Sequence, residues 1–349
     1  MIIALAKRAI GALALAAGLV AGTASARDLT VVGWGGSSQA AQQKVYYRPF
    51  TEQTGIPMLE DSWSGGLGIL RARVQAGNPT WDVVQVEADE LQIGCDEGLY
   101  ERLDWAALGG REAFIREAVS DCGVGAVVWS VGLAYDGSRL RDTPASWADF
   151  WDLQRFPGKR TLRRGPKYTL EIALMSDGVP ASEVYRVLRT PAGVDRAFRR
   201  LDQIRNNVVW WTAGAQPGQL LASGEVAMAA AYTSRMFAAR RDDNRDFRVV
   251  WKGSIYAVDH WVVLRGSPNR DKALRLIQFM TRPEHQSRFP GLSFQGATNL
   301  QAARQADPTV ATSLPTHPDN LAVAIPLDVD FWVDNIEELT QRFNAWAAR

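Results

Sequence analysis

The sequence is short of the residues that most enzymes use for chemistry. Only three histidines occur in 349 residues, His260, His285 and His317, and they are too scattered to give the spacing of a metal site. There is no G-x-S-x-G elbow and no thiol paired with an imidazole, so nucleophilic catalysis lacks its parts. Acidic residues are plentiful, but number alone does not supply the opposed carboxylate pair of a glycosidase. A secreted hydrolase therefore stands only as an alternative of another class, and neither a metal nor any other cofactor is expected. Net charge is scarce too: 39 Lys and Arg face 38 Asp and Glu, which leaves no general basic surface for nucleic acid.

Long apolar runs are missing after Ala26. Before it, Lys7 and Arg8, an apolar stretch from Ala9 to Gly22 and the small residues Ala24, Ser25 and Ala26 form the three parts of a secretory signal. The rival reading, a membrane anchor, needs about 20 apolar residues and a charged stop, and this run is shorter and ends in small residues. Removal of residues 1–26 leaves 37 basic against 38 acidic side chains in a periplasmic chain. The remaining length exceeds what one core usually serves, so two domains are expected, in a monomer. The two cysteines, Cys95 and Cys122, read as one structural disulfide in an oxidising compartment, since no C-x-x-C spacing is present. Tryptophan is abundant by contrast, with 13 residues, which suits stacking or cation–π recognition of a ligand.

Strand and helix signals alternate along the first half. Leu29 to Val32 reads as a strand, Ser38 to Thr54 as a helix stopped by Gly55, Ile56 to Glu60 as a strand, Leu67 to Ala76 as a helix and Asp82 to Val86 as a buried strand. A second α/β region follows. Thr190 caps a helix with Pro191 at its first position, Asn207 to Trp211 is a strand, Gln216 to Ser223 a helix ended by Gly224, and Val226 to Ala231 a buried strand. Val258 to Leu264 reads as strand, Asp271 to Met280 as helix, and Val333 to Trp346 as a last amphipathic helix. Such repeats imply a mainly parallel sheet, whose ligands sit at the carboxyl ends of the strands.

Those ends hold the candidate residues. Gly33, Trp34, Gly35, Gly36, Ser37 and Ser38 follow the first strand but match neither the dinucleotide nor the P-loop pattern. Trp34 can offer an indole face and the glycines a close backbone approach, unless the segment is only a tight turn with a core Trp. Glu87 and Asp89 follow one strand and Asp259 opens another; a carboxylate there pairs with a ligand ammonium, or is an ordinary cap or solvated acid. Arg163, Arg164, Gly165, Pro166, Lys167 and Tyr168 form a basic run, with Arg235 a further cation past Tyr232. It can hold a carboxylate or phosphate, or be a solvated loop.

The order of motifs resembles the periplasmic spermidine/putrescine-binding proteins: a strand then Trp34; WDVV at Trp81 to Val84; SWADFW at Ser146 to Trp151; GEV at Gly224 to Val226; DHWVV at Asp259 to Val263; ALRLIQFMTRP at Ala273 to Pro283; and Thr298–Asn299. The resemblance spans nearly the whole mature chain. It implies an α/β fold of two lobes, a type II periplasmic-binding fold with several hinge crossovers, near Gly132 to Asp136, near Asp259 and near Asn299 to Ala302. Residues 27–134 with 260–300 would form one lobe, and 135–259 with 301–349 the other. It implies a receptor that carries a polyamine to an ABC-transporter permease in the inner membrane, with Trp34 and Tyr232 as aromatic walls and Asp259 as an amine-binding carboxylate. Two departures stand out. The acidic pair that polyamine binders place after the strand following SWADFW is replaced by Gly165 and Tyr168 amid Arg163, Arg164 and Lys167, and a Trp two residues before Asp259 is replaced by Ala257. The alternative ligand is therefore zwitterionic or anionic, such as γ-aminobutyrate, another amino acid or a phosphonate. The expected ligand set is Trp34, Ser37, Glu87, Arg163, Tyr168, Tyr232, Arg235 and Asp259.

Overall fold

The computed structural model describes residues 27–349; the segment read as a secretory signal lies outside the described residues. Nine strands form one mixed sheet: β1 (Leu29–Gly33), β2 (Met58–Ser62), β3 (Val83–Val86), β4 (Gly123–Asp136), β5 (Lys159–Arg163), β6 (Val208–Trp211), β7 (Val226–Tyr232), β8 (Phe247–Val263) and β9 (Ile325–Pro326). Their order is β2-β1-β3-β8-β4-β7-β5-β6, with β9 beside β8. Two parallel groups, β2-β1-β3 and β7-β5-β6, are thus joined through the long antiparallel pair β4 and β8. The sheet is mixed rather than mainly parallel. The sequence reading finds the short strands β1, β2, β3, β6 and β7, each bounded by turn residues, but gives no bounds for β5 and does not read β9. It misses β4 and the first half of β8, whose uninterrupted apolar runs carry no period that separates strand from buried helix.

Helices cover both groups. Gly55 ends the first helical segment in the left-handed conformation that a Cβ disfavours, and Gly224 does the same after Gln216–Ser223. The Thr190 hydroxyl accepts the Gly193 N–H at the start of Pro191–Asp202, as its sequence position suggests. Tyr232 ends β7, and the helix Thr233–Asp242, which carries Arg235, begins directly after it. Asp259 lies well inside β8 rather than at a strand start.

The pairing of β4 with β8 breaks between Val131 and Leu133, where Val131 faces Ile255 but Leu133 faces Val250. The extra β8 residues bulge out, and β9 pairs with Ile255 and Tyr256 just beyond them. Such irregularities bend and twist a strand pair locally. Cys95 and Cys122 form a disulfide, with Cα atoms 5.7 Å apart, that ties the helix Ala88–Asp96 to the start of β4. Cys122 belongs to the small apolar cluster of Val32, Trp63, Leu70, Trp81 and Val262, and the partly buried Cys95 packs against it. Among the described residues no helix is long and apolar enough to cross a membrane.

The disulfide closes a loop with a sequence separation of 27, worth about 3 to 4 kcal/mol on the chain-entropy model. The double variant Cys95→Ser/Cys122→Ser is expected to lose about that much stability in urea titration and to become insensitive to added thiol reductant.

Candidate functional site

Both parallel groups point their carboxyl ends at the same cleft. β1 delivers Trp34, β2 Trp63, β3 Glu87, β5 Arg163, β6 Trp211 and Thr212, and β7 Tyr232; all seven line one cavity of about 70 Å³. The long strands supply its floor, with Trp129 from β4 and Asp259 from β8. This is the position that strand geometry favours for ligands in open α/β sheets, here doubled because two sheet edges face each other.

Asp259 organises the floor. It is only 3% exposed, and its two oxygens take N–H donors from three different segments. Oδ2 accepts from Trp34 Nε1 at 2.7 Å and from Gln85 Nε2 at 2.9 Å, and Oδ1 accepts from Trp129 Nε1 at 2.5 Å. The Gln85 amide is itself oriented, because its Oε1 accepts from Gln42 Nε2, whose Oε1 accepts from the Tyr47 hydroxyl. All these donors are neutral. Burial pushes the Asp259 carboxyl well above the usual range, the charge of Glu87 adds to the rise, and the Trp129, Trp34 and Gln85 hydrogen bonds oppose it. An ionised carboxylate has about four acceptor positions, so one remains for a ligand donor.

Aromatic rings enclose that carboxylate. Trp34 stacks on Trp63 with centroids 5.3 Å apart, and Trp129 meets Tyr168 and Tyr232 edge-on at 5.4 and 5.5 Å. Trp211 packs edge-on to Tyr232 at 5.7 Å. Trp129 lies directly opposite Ala257 in the β4–β8 register. The indole absent from position 257 is therefore matched by one on the adjacent strand, and the small alanine leaves that ring room.

The cations sit around this core in two different states. Arg163 Nη1 donates to Glu87 Oε1 at 3.2 Å, and Lys167 pairs with Glu87 and with both oxygens of Asp89 at 2.8 Å. Burial disfavours the charge on Glu87, but Lys167 and Arg163 outweigh it and hold this carboxyl at about 2. Arg235 differs. Its Nη2 donates to the carbonyls of Trp34 at 3.1 Å and Gly35 at 3.3 Å, and among the described residues no carboxylate lies within ion-pair distance of it. Burial lowers its affinity for its proton, with the nearby Tyr232 acting the other way. Two glycines make its berth: a Cβ on Gly36 would lie 2.2 Å from Nη1, and one on Gly214 would lie 2.9 Å from Nε.

Six of the eight residues expected from sequence line the cavity: Trp34, Glu87, Arg163, Tyr232, Arg235 and Asp259. Ser37 does not. It faces a groove on the far side of Arg235, and its neighbour Ser38 lines the cavity with its hydroxyl donating to Gln295 Oε1 at 2.8 Å. The helix that starts at Gly36 turns these two side chains to different faces. Tyr168 is fully buried behind the wall, its hydroxyl donating to Glu87 Oε1 at 2.9 Å. Sequence reading missed Trp63, Trp129, Trp211, Gln85 and Gln295. The carboxyl-end rule applies equally to Trp63 and Trp211, whereas Trp129 sits inside an apolar run and looks like core. His260 is pushed down to about 4 by burial, and its Nε2 donates to the Glu117 carbonyl, 2.9 Å away. Among the described residues no cluster of His, Cys, Asp or Glu could hold a metal ion.

Replacing Trp129 by Phe keeps the ring but removes one of three donors from a buried carboxylate. A loss of about 1 to 3 kcal/mol is expected in chemical denaturation, against a smaller change for a Trp251→Phe control, a half-buried indole that stacks on Phe237.

Comparison with known proteins agrees with this geometry. A family model described as bacterial extracellular solute-binding protein matches residues 46–320. The γ-aminobutyric acid-binding protein of Pseudomonas aeruginosa is 46% identical over 329 residues, covering 94% of this chain and 93% of that protein. The spermidine/putrescine-binding periplasmic protein of Escherichia coli is 20% identical over 280 residues, 77% of this chain and 78% of that one. Among solved structures, the GABA receptor Atu4243 superposes with a TM-score of 0.81 at 33% identity, covering 93% of this chain and 98% of that one. The chain belongs to the bacterial extracellular solute-binding proteins, the two-lobe receptors of ABC transporters.

Proposed function

We propose that the protein captures a short zwitterion, an ammonium and a carboxylate joined by a few methylenes as in γ-aminobutyrate, and delivers it from the periplasm to an inner-membrane permease. One observation carries the reading: a single cavity holds a buried carboxylate without a cation, Asp259, and a guanidinium without a carboxylate, Arg235. The ligand ammonium would take the open acceptor position of Asp259, with the indoles of Trp34 and Trp129 as cation–π partners. Its carboxylate would be met by Arg235 and by the guanidinium positions of Arg163 that Glu87 does not occupy. The 46% identical γ-aminobutyric acid-binding protein supports this ligand class.

The polyamine reading is weaker on the same grounds. A second ammonium needs a second available carboxylate, and the other one in the cavity, Glu87, already serves Arg163, Lys167 and Tyr168. The lobes would divide near residues 134 and 259, which the break in β4–β8 pairing beyond Val131 supports. Closure of the lobes would expel water and strengthen each charge contact.

Isothermal titration of the mature protein tests the ligand. γ-Aminobutyrate is expected to bind at least roughly tenfold more tightly than putrescine, and Asp259→Asn to weaken it by roughly 100-fold or more; tighter putrescine binding would reverse the assignment. The sign of the pH effect follows from the raised Asp259 carboxyl. The ammonium favours the ionised form, so binding should release protons, and affinity should fall as pH drops through the free-protein range of that carboxyl. Titrations in buffers of unequal ionisation enthalpy measure the release.

A further inference from the structure

We propose that Asp89 and Lys167 form, with Glu87 and Arg163, an end wall that limits the length of ligand this receptor accepts. The inference rests on the zwitterion reading above and concerns what bounds that ligand. On the far side of the wall lies a groove of about 710 Å³, ten times the volume of the ligand cavity. Ser64, Glu87 and Arg163 line both spaces, so the partition between them includes these side chains. Asp89 and Lys167 line the groove but not the cavity.

The wall is built from both sides of the cleft. Glu87 and Asp89 stand at the start of the helix Ala88–Asp96, and Arg163 and Lys167 at the end of β5 and the turn after it. Lys167 is 8% exposed and Asp89 2%, and the Tyr168 hydroxyl fixes Glu87 from behind. A buried ion pair adds little net stability relative to a well-packed apolar pair, because desolvation offsets the attraction. A wall is a role that such a cluster fills without contributing stability. Beyond it the groove carries Arg71, Gln341 and the exposed Arg164, which among the described residues has no carboxylate partner. With the wall gone, a longer chain could extend into the groove and still find a cation for its carboxylate.

The test is a chain-length series of ω-amino acids, from β-alanine through γ-aminobutyrate and 6-aminohexanoate to 8-aminooctanoate, titrated calorimetrically against the mature protein and its Asp89→Ser/Lys167→Ser variant. The paired substitution removes one charge of each sign. The wild type is expected to prefer γ-aminobutyrate over 8-aminooctanoate by roughly tenfold or more, and the variant to shift that ratio toward the longer ligand by a similar factor. A change in the ratio, rather than in overall affinity, separates a length filter from a merely structural role. Equal wild-type affinity for the short and long ligands would overturn the proposal whether or not the variant folds. So would a folded variant that keeps the wild-type ratio. If no member of the series binds the wild type, the ligand class is wrong and the length filter falls with it.

Discussion

A carboxylate buried inside a strand that both halves of the sheet share is the constraint on which the rest of the site depends. Asp259 cannot be solvated where it lies, and each unmade hydrogen bond there would cost about 1 to 3 kcal/mol. The fold answers with three neutral donors from β4, β3 and the segment after β1. Those donors in turn fix the indoles of Trp34 and Trp129 and, through Gln85, the buried Gln42 and Tyr47. Neutral donors lessen the cost of burying the charge without cancelling it, which is why the carboxyl remains raised. A cation entering the cavity would complete the compensation, and the proposed preference for an ammonium rests on that unfinished state.

Two arginines that line the same cavity differ in their partners. Arg163 is tied to Glu87 and belongs to a four-residue ion cluster in which every charge has a partner. Arg235 rests on two carbonyl oxygens in a berth that only glycine at positions 36 and 214 leaves open. The carbonyls engage its Nη2 but do not neutralise its charge. One guanidinium is thus paired with a carboxylate of the protein, and the other is left without one among the described residues.

Much of this was readable in the sequence, and the reason is geometric. Strand ends flanked by Gly, Trp and charged residues mark where a parallel sheet opens to its ligand, and that rule reached Trp34, Glu87, Arg163, Tyr232 and Arg235, whereas Asp259, inside β8, was reached through the family resemblance. The family resemblance supplied the two-lobe fold and a polyamine as the first expectation for the ligand, with the loss of acidic residues near Arg163 leaving a zwitterion or anion as the alternative, which the 46% identical relative favours. What stayed hidden depended on long-range register. Trp129 faces Ala257 only because two strands more than 100 residues apart are paired, and nothing local distinguishes it from a core indole. Ser37 and Ser38 exchange roles on the rotation of one helical residue, a resolution that sequence pattern does not reach. The basic run divides in a similar way: Arg163 and Lys167 turn inward to carboxylates from the other side of the cleft, and Arg164 stays exposed.

A crystal structure of the mature protein grown with γ-aminobutyrate addresses the central claim most directly. The account requires the ligand nitrogen within hydrogen-bond distance of Asp259, between the Trp34 and Trp129 rings, and the ligand carboxylate at Arg235 and the free positions of Arg163. A ligand bound in the reverse sense, or one seated outside the cavity with the three donors to Asp259 undisturbed, would contradict it.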